Sequence, residues 1–175
     1  MGRQLLLLRH AKSDWESDAP SDFERPLAKR GRKAAPKIAG WLKAQALTPD
    51  RIISSPAERA RQTTLAVAKV IGVQPAKVRW EPELYEASVD TLLSVIRSCP
   101  NARHRLMLVG HNPGLADLLE WCCEDGTPGL ENVKVLPTAA VAVLAFDSRW
   151  GDIKRGSASL VDLVRPRELG KRGLA

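Results

Sequence analysis

The run Gln4-Leu5-Leu6-Leu7-Leu8 is apolar at four consecutive positions and stops at once on Arg9-His10. A strand with one wet face alternates apolar and polar residues, whereas an unbroken apolar run belongs to a strand covered on both faces. Arg105-Leu106-Met107-Leu108-Val109-Gly110, ending on His111, repeats this pattern, and Arg51-Ile52-Ile53-Ser54, ending on Ser55-Pro56, repeats it more briefly. Helical patterns lie between these runs. From about Leu27 to Ala46 the positions Ala34, Ala35, Ile38, Trp41 and Leu42 recur at helical spacing. Ser55 is placed to cap, and Pro56 to open, a second helix that runs to about Val70 and stops at Gly72. Ser88 caps a third helix to Arg97, and Pro113 opens a fourth that reaches about Cys123. Val78 to Glu81 reads as a weak strand, and Thr138 to Phe146 and Ser159 to Val164 as two late, adjacent strands. Residues 11–28, interrupted by Pro20 and Pro26, and residues 124–134 read as loops. The alternation predicts one α/β domain over residues 1–175, with a core from about 4 to 169. Its mostly parallel sheet is flanked by helices on both faces, giving three layers.

No apolar run approaches the roughly 20 residues that cross a bilayer. Leu5–Leu8 is also too short for the core of an export signal. The three cysteines, Cys99, Cys122 and Cys123, are odd in number and two are neighbours, so they supply neither a disulfide framework nor a zinc spacing. A reducing, cytoplasmic setting is expected, with no membrane partner. The chain carries 27 Lys+Arg against 20 Asp+Glu, a formal charge of +7. Arg25 to Lys37 holds six of these cations and no acid, and a looser group (Lys154, Arg155, Arg165, Arg167, Lys171, Arg172) lies near the C-terminus. No aromatic pair is interleaved with arginines as in single-strand stacking sites. The block therefore reads as a solvated face that attracts anionic partners, without favouring nucleic acid.

Three polar sites follow three strands: Arg9-His10, Arg59 after Ser54-Ser55-Pro56, and His111 after Val109-Gly110. In open α/β sheets the carboxyl edge of the strands is where ligands bind, so these sites can converge. Two histidines and two arginines with no acidic cage make a cup for a phosphate-like anion rather than a metal or cofactor site. The helix starts near Pro56 and Pro113 add partial positive charge. Arg61 competes with Arg59, but two helix positions apart point to nearly opposite sides, and Arg59 stands nearer the strand end. His104, before a strand, reads as a solvated loop residue.

Leu7-Leu8-Arg9-His10-Ala11-Lys12-Ser13, Ser54-Ser55-Pro56-Ala57-Glu58-Arg59-Ala60-Arg61-Gln62-Thr63 and Val109-Gly110-His111-Asn112-Pro113 resemble the histidine phosphatase (phosphoglycerate mutase-like) superfamily. They are most similar to its short SixA-type phosphohistidine phosphatase branch. Arg25-Pro26-Leu27 with Arg30-Gly31, Leu84-Tyr85-Glu86-Ala87-Ser88 and Pro137-Thr138-Ala139-Ala140 support the resemblance, which covers about residues 4–169. Many superfamily members carry Gly where Ala11 stands; Ala is frequent in this branch.

The resemblance implies a phosphoglycerate mutase-like fold and a metal-independent phosphatase without cofactor. His10 is then the nucleophile that forms a phosphohistidine intermediate, and Arg9, Arg59 and His111 bind phosphate, His111 as imidazolium. Ser13 is a further phosphate contact, and Glu86 the candidate general acid, with Glu83 its competitor. The expected substrate is phosphohistidine in a protein, because an imidazole leaving group makes little demand on an enzyme acid. The chain also leaves no insertion long enough for a lid. Two other readings stand beside this one. The first is a small-molecule phosphomonoesterase of the same fold; the second is a non-catalytic basic module that binds RNA or phosphoprotein. A neutral His10 beside a charged His111 predicts a bell-shaped pH profile.

Overall fold

The first strand, β1 (Arg3–Arg9), runs between two neighbours near the middle of a six-stranded sheet. The protein is seen here as a computed structural model that describes residues 2–125, 127–128, 130 and 136–172. After β1 come α1 (Lys29–Ala44), β2 (Arg51–Ser54), α2 (Glu58–Ile71), β3 (Val78–Trp80) and α3 (Val89–Arg97). Then follow β4 (Arg105–Gly110), α4 (Gly114–Cys122), β5 (Val141–Phe146) and β6 (Ala158–Val164). A last short helical segment, Pro166–Arg172, closes the described chain. The sheet order is β3-β2-β4-β1-β5-β6. The first four strands of that order are parallel, while β5 runs antiparallel to β1 and β6 antiparallel to β5. This is the mostly parallel α/β arrangement expected from the sequence.

Covering both faces is what the continuous apolar runs require. Leu5 and Leu7 of β1 face one layer with Leu106 and Leu108, packed against Leu92, Leu93 and Ile96 of α3 and Leu115, Leu118 and Leu119 of α4. Leu6 and Leu8 face the other with Met107 and Val109, against Ala35, Ile38 and Leu42 of α1 and Val67 and Ile71 of α2. Each fully buried leucine contributes on the order of 2 kcal/mol, so this two-faced burial holds the site-bearing strands firmly. All three cysteines are buried thiols, and burial pushes Cys122 up to about 12. No described helix is long and apolar enough to cross a membrane.

Element ends differ from the sequence expectations in instructive places. Gly72 ends α2 in the left-handed conformation, with φ of 78°, and Ser88 caps α3 by accepting the Thr91 N–H at 3.2 Å. Ser55, in contrast, does not cap α2: that helix begins at Glu58 after Ala57 with no side-chain cap. The Ser55 hydroxyl instead accepts the Ala57 N–H at 3.2 Å, making a tight turn off the strand. Strand β5 starts at Val141 rather than Thr138, because residues 137–140 form a turn with Ala139 at φ of 60°. Of the expected loop 124–134, residues 126, 129 and 131–134 lie outside the described residues.

Candidate active site

Strands β1, β2 and β4 end level with one another. Arg9 is in register with Gly110 and Ser54 with Val109. The ladder then continues one residue past the strands, with the His10 N–H on the Gly110 carbonyl (3.0 Å) and the Ser55 N–H on the Val109 carbonyl (2.9 Å). Three side chains that are remote in sequence are thereby fixed side by side. The His10 and His111 rings stand 5.1 Å apart between centroids, and the His111 Nε2 lies 2.8 Å from the Ser55 hydroxyl. Ser55 therefore supports a ring of the site rather than a helix.

The tautomer of His10 follows from one contact. Its Nδ1 lies 2.7 Å from the Ala11 carbonyl, which can only accept, so Nδ1 carries the proton and Nε2 keeps its lone pair. The Ala11 N–H donates to the Thr63 hydroxyl at 2.9 Å, and that hydroxyl donates to the Arg59 carbonyl at 2.7 Å. The loop after β1 is thus tied to the first turns of α2. On its other side the Ala139 N–H reaches the carbonyls of Arg9 (3.2 Å) and His10 (3.1 Å), which is the work done by the turn before β5.

The cations gather around these rings. Arg9 donates to the Leu136 carbonyl at 3.1 Å, and the Asn112 amide nitrogen donates to the same oxygen at 2.8 Å. Arg59 is buried at 6% exposure and donates to Asp22 twice, from one terminal nitrogen to its carbonyl (2.6 Å) and from the other to its carboxylate (2.9 Å). Arg61 lies on the exposed side of the helix beside Glu58. Arg9 Nε, Arg59 Nε and His111 Nδ1 are all buried without a hydrogen-bond partner. Buried donors are rarely left so, and each costs about 1–3 kcal/mol.

Burial and mutual repulsion show in the ionisation of the group. Burial, with further push from His111, Arg59 and Arg9, lowers His10 to about 3 against the Ala11 hydrogen bond. Burial and Arg59 lower His111 to about 4, with Asp22 opposing. Burial and then Arg59 lower Arg9. Both imidazoles are therefore neutral at pH 7. The sequence reading placed the charge on His111, which needs an anion beside it to hold a proton that the two arginines disfavour.

Sequence reasoning missed Asp22, Tyr85 and Arg25. The Asp22 carboxylate receives Arg59, Arg25 (2.7 Å) and the Tyr85 hydroxyl (2.7 Å), and these contacts, Tyr85 foremost, hold it below the usual carboxylate range. Tyr85 stands edge-on to His111 at 5.4 Å and to Phe23 at 5.0 Å, while Arg25 stacks over Trp15 at 3.4 Å. Arg25 and Tyr85 fall in stretches that support the family resemblance, and Tyr85 is the only tyrosine in the chain, but neither signal assigned them a site role; Asp22 and Arg25 sit in an aperiodic loop. Glu86, at φ of 54°, lines a cavity of about 450 Å³ together with Asp22, Arg59, Tyr85, His111 and Asn112. Glu83 is exposed and is not among the residues lining it. Ser13 is buried and forms a backbone bridge to Leu27; like His10 and Arg9 it is not among the residues lining the cavity, which His10 adjoins through the His111 ring. Among the described residues no group of three or more His, Cys, Asp or Glu is placed to hold a metal ion.

Comparison with known proteins meets this geometry. The profile of the histidine phosphatase superfamily (branch 1) matches residues 5–94. An uncharacterized protein from Mycobacterium tuberculosis is 34% identical, over 91% of this chain and 100% of its own. The crystal structure of the putative phosphohistidine phosphatase SixA from Agrobacterium tumefaciens superposes with a TM-score of 0.79 at 32% identity, covering 94% of this chain and 98% of that one. A structure of the protein histidine phosphatase SixA complexed with tungstate gives a TM-score of 0.79 at 26% identity, covering 95% and 99%. The chain belongs to the histidine phosphatase superfamily, with a phosphoglycerate mutase-like fold, and its chemistry is that of a phosphatase.

Proposed function

We propose that this phosphatase works without a metal or cofactor, through His10 as nucleophile, on phosphohistidine carried by a protein. The observation that carries the catalytic part is the tautomer of His10. Its Nδ1 proton is committed to the Ala11 carbonyl and its ring is held neutral, so the Nε2 lone pair is available at physiological pH. In the first step Nε2 forms a bond to phosphorus, and the bond from phosphorus to the leaving nitrogen breaks with its electron pair going to that nitrogen, which takes up a proton. In the second, water attacks phosphorus and gives up a proton, the Nε2–phosphorus bond breaks with its electron pair returning to Nε2, and inorganic phosphate leaves.

The cationic groups act on the transferring phosphoryl, where alignment and charge neutralisation dominate the barrier. Arg9, Arg59 and His111 surround His10 with unpaired nitrogens that phosphoryl oxygens satisfy. A dianion brought against His111 favours its protonated form, with Nε2–H donating to Ser55 and Nδ1–H to the anion. The tungstate bound by the SixA relative is a tetrahedral oxyanion of this kind. Glu86 lines the cavity and is the candidate proton donor to the leaving group. Ser13 is proposed only as a support of the phosphate loop, since its backbone bridges Leu27.

A protein substrate is favoured by the rim. Trp15 is 72% exposed and Phe23 37% exposed, both linked to the cavity through Arg25, Asp22 and Tyr85. Aromatic side chains that stand out beside a site are typical of protein contacts. The test is a substrate panel with wild-type protein and the His10→Ala variant. A phosphohistidine protein turned over faster than sugar phosphates or nucleotides, with radiolabelled phosphoenzyme trapped only on wild type, is the expected result. Full activity of His10→Ala rejects the nucleophile, and preference for sugar phosphates rejects the protein substrate.

A further inference from the structure

A second, larger concavity of about 610 Å³ lies outside the catalytic cavity and shares no lining residue with it. Helix α1 gives it Lys29, Arg30, Lys33 and Lys37, and the segment after β6 gives it Arg165 and Arg167. Lys12, two residues past His10, completes its basic lining, and no acidic residue lines it. These seven cations equal the whole formal excess of the chain, +7. The groove thus gathers a quarter of the chain's 27 basic residues without an acidic residue in its lining.

The groove meets the strand exit at His10 through two of its lining residues. Lys12 is within about 7 Å of chain from His10, and its carbonyl accepts the Ala28 N–H at 2.9 Å, just before α1. Thr138, also in the lining, precedes Ala139, whose N–H binds the carbonyls of Arg9 and His10. A partner with phosphate in the cavity can therefore reach the groove without a long span.

We infer that this groove docks an acidic segment of the partner protein, an inference that takes the protein substrate proposed above one step further. Lys29, Lys33 and Lys37 follow one another at four-residue intervals, about 6 Å apart along the helix axis. Carboxylates on alternate residues of an extended chain repeat at about 7 Å, close enough to meet this stripe. Six of the seven cations are exposed, and the seventh, Arg165, is in part offset by Glu168 at 2.9 Å. Solvated point charges on long stems suit a diffuse polyanion better than a compact polyphosphate, which calls for buried, preset forks. No aromatic side chain lines the groove, so it offers no platform for stacked bases.

The probe is a short fluorescein-labelled peptide of alternating Asp and Ser, with an Asn-Ser peptide as control, followed by anisotropy at low ionic strength. The Asp-Ser peptide binds, the control does not, and the Lys29→Glu/Lys33→Glu/Lys37→Glu variant weakens binding by about tenfold or more. The corresponding triple Gln variant falls between, and hydrolysis of p-nitrophenyl phosphate by both variants matches wild type, which separates charge from misfolding. Equal binding of the two peptides overturns the inference, as does tighter binding of oligouridylate or tripolyphosphate than of the Asp-Ser peptide at matched charge. In a second arm, a phosphohistidine peptide carrying the Asp-Ser extension has a lower KM than one with the Asn-Ser extension, and the triple Glu variant abolishes the difference. If p-nitrophenyl phosphate is hydrolysed and neither phosphopeptide is, the protein-substrate reading fails while the anisotropy result decides the groove by itself.

Discussion

The catalytic cavity and the groove beside α1 are both cationic, yet they hold charge in opposite ways. Around His10 the arginines and imidazoles are withdrawn from water, repel one another, and leave nitrogens unpaired. Along α1 the lysines stand in solvent, spaced by the helix and free to rearrange. Burial strengthens each interaction with an incoming anion and fixes its geometry, which is what phosphoryl transfer demands. Exposure leaves only long-range attraction, screened by salt, which suits encounter and orientation. One molecule thus separates chemistry from recruitment by where it places the same sign of charge.

The largest expected effect breaks the cavity alone. His10→Ala lowers kcat by at least about 10⁴-fold, by analogy with removal of other enzyme nucleophiles, in an assay with p-nitrophenyl phosphate, and leaves peptide binding in the groove unchanged. Next, Arg59→Ala lowers kcat/KM by about 10²–10³-fold, whereas Arg61→Ala, one helix face away, stays within twofold; steady-state kinetics on the same ester checks both.

The contrast also appears in acid. Both imidazoles titrate below the ordinary 6.5 in the folded protein, His10 at about 3 and His111 at about 4. As pH falls below 6.5 the unfolded chain takes up these protons first. The stability tied to their neutral burial is therefore whole above about pH 6.5 and is lost progressively as pH falls toward 3. Calorimetry should show the melting temperature dropping by about 5 °C or more between pH 7 and pH 5, with a shallower slope in the His10→Gln/His111→Gln variant. The acid limb of kcat/KM lies below pH 5 rather than near 6.5, because His10 stays neutral until then.

The smallest effect sharpens the boundary between the regions. Asp22 shares Arg59 with whatever anion enters the cavity. Asp22→Asn should tighten inhibition by tungstate about threefold, a magnitude set by its half-exposed position, while the groove variant leaves tungstate inhibition unchanged.

Much of this organisation is legible in the chain, for reasons that differ by element. Strand exits announce themselves because Leu5–Leu8 and Leu106–Val109 are buried on both faces and end on polar residues. Helix spacing, with nearness to the strand end, separates Arg59 from Arg61. The contacts made by loops do not announce themselves. Asp22, Arg25 and Trp15 meet the site through residues 11–28, where no period links sequence to direction. Ser55 has the composition of a cap, yet the strand must turn before α2 can begin, and its hydroxyl goes to His111. Residues 138–140 lead straight into the apolar run of β5 yet turn, and the turn brings the Ala139 N–H to the carbonyls of Arg9 and His10.

Two glycines place the loops on which the site depends. A Cβ on Gly31, in the first turn of α1, would sit 2.2 Å from the Lys12 carbonyl oxygen, and one on Gly114, at the start of α4, 2.3 Å from that of Ala87. Neither position can accept even a methyl group without pushing back the segment that carries His10 or the one that carries Tyr85 and Glu86. The missing side chains act as spacers of zero thickness. An alanine at either point would put the two halves of the site out of true by a bond length while the sheet beneath them stood unaltered.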